Sequence, residues 1–269
     1  MSGGGPDADY EYRGLVAATW DLLRGDTAGW PDRAFYFDLI RRSGEPALDV
    51  GCGTGRLLLD YLEQGIDVDG VDVSPDMLTL CRAKAQRRAL QPTVFLQAIE
   101  SLDLPRRYRT IIVPSSTFQL LTDPPAATRA MERLFAHLQP GGVLAMPFMI
   151  LWKPGDPRAT EWRLIVERAR PEDGAVVRRW SRADYDAEGQ LEHTEDRFEV
   201  TLRGAVIAAE HHRRSPATRW YTRAQAEALF AQAGFVDRRV YHEFTWQPAA
   251  EGDVVFTMLG TRPGGASLP

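Results

Sequence analysis

The segment ALDVGCGTGR, residues 47–56, places three alternating glycines directly after a short apolar run. An apolar run that ends in glycines is typical of a buried strand followed by a tight turn into a helix. Glycine in such a turn adopts positive φ freely and has no Cβ to obstruct a ligand. The segment therefore predicts an α/β fold in which the backbone at Gly51, Gly53 and Gly55 closely approaches a bound molecule.

An acidic residue, Asp72, ends the next strand-like stretch, residues 67–74. In an open α/β sheet, ligands bind beyond the carboxyl ends of the strands, where the strand order reverses. A carboxylate at that place accepts hydrogen bonds from both hydroxyls of a ribose. The glycine loop and the acid together indicate a ligand of the adenosine type.

The sequence argues against three alternatives to an adenosine-type ligand. NAD or FAD would require the dinucleotide pattern G-x-G-x-x-G, whose third glycine would fall at residue 56. Here that glycine comes one place early, at Gly55, and residue 56 is Arg56. A phosphate-binding loop needs G-K-[ST], which does not follow these glycines. A turn without a ligand is the third alternative, and the position of Asp72 argues against it.

The organisation of the chain changes near residue 150. Before it, strand-like runs at 93–98, 109–114 and 142–149 alternate with helix-like runs, which predicts a doubly wound, mostly parallel sheet. From 150 to 219, apolar and polar residues alternate, which predicts an inserted antiparallel β-sheet. We therefore expect a core of residues 1–149 and 220–269 and an inserted subdomain of residues 150–219.

Composition limits the partners of the chain. The 269 residues carry a net charge of −5, which argues against general binding of nucleic acid. No apolar run is long enough to span a membrane, and the polar N-terminus lacks a signal segment, so we expect a cytoplasmic location. Cys52 and Cys81 are too few for a disulfide framework or a zinc cluster.

Five motifs lie along the chain outside the insertion: LDVGCGTGRLLLDYLEQG, VDGVDVSPDML, LDLPRRYRTIIVPSSTFQLL, LFAHLQPGGVLAM and LFAQAGF. Together they resemble the motifs of class I S-adenosyl-L-methionine (SAM) methyltransferases. The resemblance implies a Rossmann-like, seven-stranded sheet with SAM as cofactor. It places the cofactor against the following residues: Asp49, Gly51, Cys52, Gly53 and Gly55 at the methionine half, Asp72 and Val73 at the ribose, Met77 at the adenine, and Pro114 at the end of the fourth strand.

The adenine subsite departs from the family pattern. An acid usually meets the adenine amino group after the third strand, but the matching residue here is Ala98, and Glu100 stands two places later. We expect backbone contacts from Ala98 and Ile99 and a weaker selection for adenine.

The segment YRGLVAATWDLL resembles the opening of small-molecule members, which include glycine N-methyltransferase-like and amino-sugar N,N-dimethyltransferase-like enzymes. In such enzymes this segment closes over SAM, which implies that Tyr12 and Trp20 lie near the sulfonium. An aromatic face attracts a cation. The alternative is that both rings only seal a helix onto the core.

The fourth strand ends at Pro114-Ser115-Ser116-Thr117-Phe118, where methyltransferases of DNA bases and glutamine amides carry Asn/Asp-Pro-Pro-Tyr/Phe. This difference disfavours nucleobase and amide acceptors. We expect Ser115, Ser116 and Phe118 to line the methyl-transfer site, the alternative being capping by the serines and core packing by Phe118. No histidine or acidic cluster has metal-ligand spacing, so we expect no metal.

These observations predict a SAM-dependent methyltransferase that acts on a small molecule, with N-methylation slightly favoured. A small-molecule O-methyltransferase and a non-catalytic SAM-binding protein are the alternatives. We expect the inserted sheet to cover the acceptor pocket or to form the interface of a homodimer.

Overall fold

The computed structural model describes residues 12–264. Its α-helices are α1 (Gly14–Arg24), α2 (Pro31–Ser43), α3 (Leu58–Glu63), α4 (Pro75–Arg87), α5 (Pro124–His137) and α6 (Arg223–Gln232). Its strands are β1 (Ala47–Val50), β2 (Val68–Asp72), β3 (Val94–Leu96), β4 (Tyr108–Ile112), β5 (Leu138–Met149), β6 (Arg163–Ala169), β7 (Val176–Asp186), β8 (Leu191–Leu202), β9 (Ala205–Arg219), β10 (Val236–His242) and β11 (Val255–Thr261). Within the described residues, no helix is long and apolar enough to cross a bilayer.

The main sheet of residues 12–264 has seven strands in the order β10-β11-β5-β4-β1-β2-β3. Strands β1 to β5 pair in parallel, whereas β11 runs antiparallel to both of its neighbours, β5 and β10. The strand order reverses beside β1, because β2 lies on one side of it and β4 on the other. A ligand site is therefore expected beyond the carboxyl ends of β1 and β4.

Helices cover both faces of this sheet, and the sequence explains where they begin. Leu134 and Phe230, from α5 and α6, pack in one apolar cluster, and Leu58 and Cys81, from α3 and α4, pack in the other. Ser74 caps α4 by accepting a hydrogen bond from the Met77 N–H at 3.1 Å, with Pro75 in the first turn. Both layers bury β1 completely.

The second sheet of the described chain has four antiparallel strands in the order β6-β7-β8-β9. It confirms the predicted fold class, a mostly parallel sheet with an inserted antiparallel one. The first thirteen residues of the predicted insertion, 150–162, form no named strand.

The helical spacing of residues 55–65 predicts a helix that begins at residue 55, but in the structure the glycine turn continues beyond that residue. Residue 55 has φ of 83°, a left-handed conformation that a helix does not contain. Helix α3 consequently begins only at Leu58. The seven-residue turn between β1 and α3 leaves room for a ligand above the end of β1.

Helix α1 bridges the two sheets. Its apolar residues Leu15, Leu22 and Leu23 pack against a small cluster from β7 and β8 and the turn before β7. On its other side, Lys84 of α4 donates hydrogen bonds to Asp21 at 3.0 Å and to the hydroxyl of Thr54 at 2.9 Å. The helix is thereby held between the glycine turn and the inserted sheet.

Candidate functional site

A cavity of about 170 Å³ lies beyond the carboxyl ends of β1, β2 and β4. We call it the loop cavity. It is lined by Tyr12, Trp20, Arg24, Asp49, Val50, Gly51, Cys52, Gly53, Thr54, Arg56, Leu57, Val71, Asp72, Val73, Met77, Gln97, Ile99, Pro114, Ser115, Ser116, Thr117, Leu120 and Leu121. Most residues that the sequence singled out thus surround one space.

The glycines of the turn meet two different steric demands. Gly51, with φ of 72°, lies so close to Thr117 that a Cβ would come within 2.4 Å of its Cγ2 atom. Gly53, with φ of 54°, borders the cavity, and a Cβ there would meet only the carbonyl oxygen of Gly51 at 4.0 Å. A side chain at residue 51 would disrupt packing, whereas one at residue 53 would occupy space for a ligand.

Asp72 closes the far side of the loop cavity and fixes its backbone. Its Oδ2 atom accepts a hydrogen bond from the Gly53 N–H at 2.8 Å, and its Oδ1 atom accepts one from the Ser74 N–H at 2.8 Å. The carboxylate therefore ties the glycine turn to the start of α4. A carboxylate at this place can accept hydrogen bonds from ligand hydroxyls as well.

Asp49 is a buried carboxyl that also borders the cavity, 2% exposed. Among residues 12–264 nothing donates a hydrogen bond to its Oδ1 atom. Burial raises the pKa of Asp49 to about 7, against the lowering effect of Arg56, and the charge of Asp72 raises it further. Such a group binds a cation well, since a cation would satisfy the oxygen and offset the loss of solvation.

Arginines and aromatic rings from the N-terminal part of the chain form the remaining wall. The Tyr12 and Trp20 rings are 4.8 Å apart between centroids. The Arg24 guanidinium stacks over Trp20 at 4.1 Å, and burial together with the charge of Arg56 lowers the pKa of Arg24. Arg56 in turn forms a two-point ion pair with Asp32.

Three residues predicted to lie at the site do not line the loop cavity. Phe118 is 1% exposed and packs between Phe148 and Tyr221, each with its ring centroid 6.0 Å away. The chain turns at Ser115, whose φ is +58°, and enters a short 3₁₀ helix at Phe118, which directs that ring into the core. Phe118 therefore packs in the core, which was the alternative to lining the methyl-transfer site, and does not border the loop cavity.

Gly55 and Ala98 are the other two. A Cβ on Gly55 would come within 2.7 Å of Cys81 Sγ, so this glycine permits close packing of the turn on α4. Ala98 lies between Gln97 and Ile99, which do line the cavity. The Ala98 side chain therefore has no direct place at the cavity wall.

Sequence reasoning missed Arg24, Thr54, Arg56 and Gln97 at the loop cavity. Arg56 is visible in hindsight, because it follows the last glycine directly and departs from the dinucleotide pattern. Arg24 gives no such signal, since only the packing of α1 brings it to the turn. Among residues 12–264, no three histidine, cysteine or acidic side chains are grouped as a metal site.

Comparison with known proteins shows which kind of enzyme this chain resembles. Residues 47–142 match the family described as "Methyltransferase domain". A dTDP-3-amino-3,6-dideoxy-alpha-D-glucopyranose N,N-dimethyltransferase from Streptomyces fradiae is 28% identical over 238 residues, 86% of this chain and 86% of its own. Residues 47–142 therefore form a methyltransferase domain, and the chain is a SAM-dependent methyltransferase.

Solved structures share the fold of the methyltransferase. A SAM-dependent methyltransferase from Clostridium acetobutylicum has a TM-score of 0.72 at 18% identity, covering 93% of this chain and 98% of that one. SAM-bound CalS10, an amino pentose methyltransferase from Micromonospora echinaspora, has a TM-score of 0.66 at 23% identity, with the same two coverages. These likenesses confirm the fold that the sequence predicts.

The residues of the loop cavity fit SAM, the cofactor of the methyltransferase. We propose that Asp72 accepts hydrogen bonds from the ribose hydroxyls and that the unpaired Oδ1 atom of Asp49 receives the ammonium group of the methionine part. Arg24 offers a cation for the carboxylate, and Met77, buried at 1% exposure, borders the cavity for the adenine. The turn at Gly53 leaves the space that a Cβ would fill.

Two further cavities of the methyltransferase adjoin the loop cavity. One, of about 210 Å³, lies among β7, β8 and β9, and we call it the sheet cavity. It shares Tyr12, Ser116 and Leu120 with the loop cavity. The other, of about 410 Å³, lies between α1 and the inserted sheet and shares Tyr12, Trp20 and Arg24 with the loop cavity.

Proposed function

We propose that the methyltransferase transfers the methyl group of SAM to an amine nitrogen of a small polar molecule, for which an amino sugar is the leading class. The observation that carries this proposal is the shared wall of Tyr12, Ser116 and Leu120 between the loop cavity and the sheet cavity. A donor in one cavity and an acceptor in the other would meet at this wall. The relative from Streptomyces fradiae, named for an amino-sugar nucleotide, supports an amine as the acceptor.

Bound SAM supplies a methyl group that its sulfonium already activates, so the protein mainly aligns the acceptor. Ser115 and Ser116 are half-buried just after β4, and Ser116 borders both cavities. The Ser116 hydroxyl would hold a polar group of the acceptor. The Tyr12 ring at the shared wall, and the Trp20 ring next to it in the loop cavity, would exclude water and favour a cation beside them.

The test is a panel of matched acceptors with methyl-labelled SAM. The amines are dTDP-3-amino-3,6-dideoxy-alpha-D-glucopyranose, D-glucosamine and glycine, and their hydroxyl counterparts are dTDP-6-deoxy-alpha-D-glucopyranose, D-glucose and glycolate. We expect label to enter at least one amine and none of the hydroxyl compounds. Transfer to a hydroxyl compound alone, or to none of the amines, contradicts the proposal.

A further inference from the structure

Glu192 places a carboxylate inside the sheet cavity. It lies at the start of β8, opposite Thr218 of β9 and Tyr185 of β7 in the strand pairing. Its side chain lines the cavity together with Tyr12 and Ser116. A small molecule that fills this space therefore touches both Glu192 and the wall shared with the loop cavity.

Charged side chains of the inserted strands surround Glu192, and the positive charge of Arg214 acts on it directly. The Arg214 guanidinium of β9 stacks over the Tyr12 ring at 5.1 Å. Asp196, further along β8, is 4% exposed and pairs with Arg179 of β7 at 2.8 Å. Arg163 and Arg182 also border the sheet cavity, and Arg182 pairs with Glu195 at 2.8 Å.

Burial is the main influence on Glu192 and raises its pKa. Hydrogen bonding by the Thr218 and Tyr185 hydroxyls and the charge of Arg214 oppose this effect, whereas Asp196 adds to it. A partly desolvated carboxylate gains from contact with a cation, and a raised pKa makes it a better acceptor of a proton. An ammonium group satisfies both conditions.

We propose that Glu192 binds the ammonium group of the acceptor and removes its proton before methyl transfer, an inference that rests on the proposed N-methylation. An N–H bond of the ammonium breaks, and the proton passes to a carboxylate oxygen of Glu192. The freed electron pair of the nitrogen then forms the new N–C bond. The methyl C–S bond breaks at the same time, and its electron pair stays on the sulfur.

The substitution Glu192→Gln tests this role, because it keeps the shape of the side chain and removes both charge and basicity. With the amine that the wild type methylates, we expect kcat/KM to fall roughly 100-fold or more, the usual range for loss of a general base. The acidic limb of the pH profile of kcat/KM should move or disappear, and SAM affinity should stay unchanged. Glu192→Asp should restore part of the rate.

Glu199→Gln is the matched control, since Glu199 lies on the same strand, pairs with Arg178 at 3.7 Å and lines none of the three cavities. It should behave as the wild type. Wild-type kcat/KM and pH profile in Glu192→Gln would overturn the inference while leaving N-methylation intact. A wild type that neither binds the amines calorimetrically, in complex with S-adenosyl-L-homocysteine, nor methylates them would overturn both.

Discussion

At the carboxyl end of β1, Asp49 combines deep burial with an oxygen that no described residue satisfies. Its pKa of about 7 means that the folded protein holds a proton there well above the ordinary carboxyl value of 3.8. At neutral pH and above, the buried negative charge of Asp49 therefore destabilises the protein without cofactor. A bound cation would offset this cost, so the same side chain affects both the stability of the protein and its affinity for the cofactor.

Asp49→Asn should separate these two effects. Because the folded pKa is raised, the stabilising contribution of the protonated carboxyl is full below about pH 4 and is lost as the pH rises to about 7, by at most about 4 kcal/mol. Urea unfolding of the cofactor-free protein at pH 5.5 and 8 should show this loss in the wild type and not in Asp49→Asn. Calorimetry should show weaker SAM binding by the variant at pH 8. Equal pH dependence in both proteins would contradict the account.

Asp72→Ala should weaken SAM binding by about 1.5–3 kcal/mol, the range for hydrogen bonds to a charged group. Part of the loss would come from the Gly53 and Ser74 N–H groups, which lose their acceptor. Calorimetric titration measures the affinity, and thermal unfolding checks that the variant is folded. Unchanged affinity in a folded variant would refute the ribose assignment.

At the scale of elements, the glycine turn and α1 border the loop cavity, whereas the inserted strands form most of the sheet cavity. The turn depends on left-handed residues that a sequence signals clearly. The motif of residues 12–23 implied that Tyr12 and Trp20 lie near the glycine turn, and both border the loop cavity. The packing of α1 against β7 and β8, which brings Arg24 there, has no local signal.

Gly53→Ala and Gly51→Ala should differ in their main defect. In both variants the new alanine must adopt a left-handed backbone conformation, which costs about 1–2 kcal/mol. Residue 53 otherwise faces open space, so its variant should fold and lose SAM affinity. Residue 51 faces Thr117 at 2.4 Å, so its variant should also lose stability by a further 1–3 kcal/mol or so, as overpacked sites do. Urea unfolding and calorimetry, run on both, distinguish the defects; identical profiles would contradict this division.

Gln119 joins the two sheets at the point where the chain leaves and re-enters the core. Its side chain, fully buried, bonds to both the N–H and the carbonyl of Met149 and to the carbonyl of Arg219, at 2.8–3.0 Å. Gln119→Leu should destabilise the protein by about 2–4 kcal/mol, because it leaves buried backbone groups without partners. We expect KM for the acceptor to rise more than KM for SAM. A stability equal to that of the wild type would show that the insertion is held by other contacts.

For the whole molecule, the sequence predicted the doubly wound sheet and the inserted sheet, and it placed Asp72 at the loop cavity, because each depends on local spacing or on one turn. It left open whether Phe118 lines the site or packs in the core, because the 3₁₀ turn after Ser115, which changes the direction of the side chains, has no clear sequence signal. It did not identify Arg24 or Glu192. Both reach their cavities only through the packing of α1 and of the inserted strands around the core.

Replacing residues 156–215 by a short linker should abolish methyl transfer and also weaken SAM binding, by at least about 1.4 kcal/mol, or tenfold. The reason is that Leu22 and Leu23 of α1 lose the surface on which they pack, and α1 carries Trp20 and Arg24. The double variant Leu22→Ser, Leu23→Ser in the intact chain should reproduce part of the loss. Full SAM affinity in the deletion variant would show that α1 is held by the core alone.

The central claim is methyl transfer to nitrogen, and the structure of the product tests it most directly. The methyltransferase is incubated with SAM that carries a ¹³C-methyl group and with dTDP-3-amino-3,6-dideoxy-alpha-D-glucopyranose, which also offers hydroxyl groups. Two-dimensional NMR of the purified product then assigns the labelled carbon to nitrogen or to oxygen. The account predicts a ¹³C-methyl on the amine nitrogen. A ¹³C-methyl on a hydroxyl oxygen, or a product without label, would contradict it.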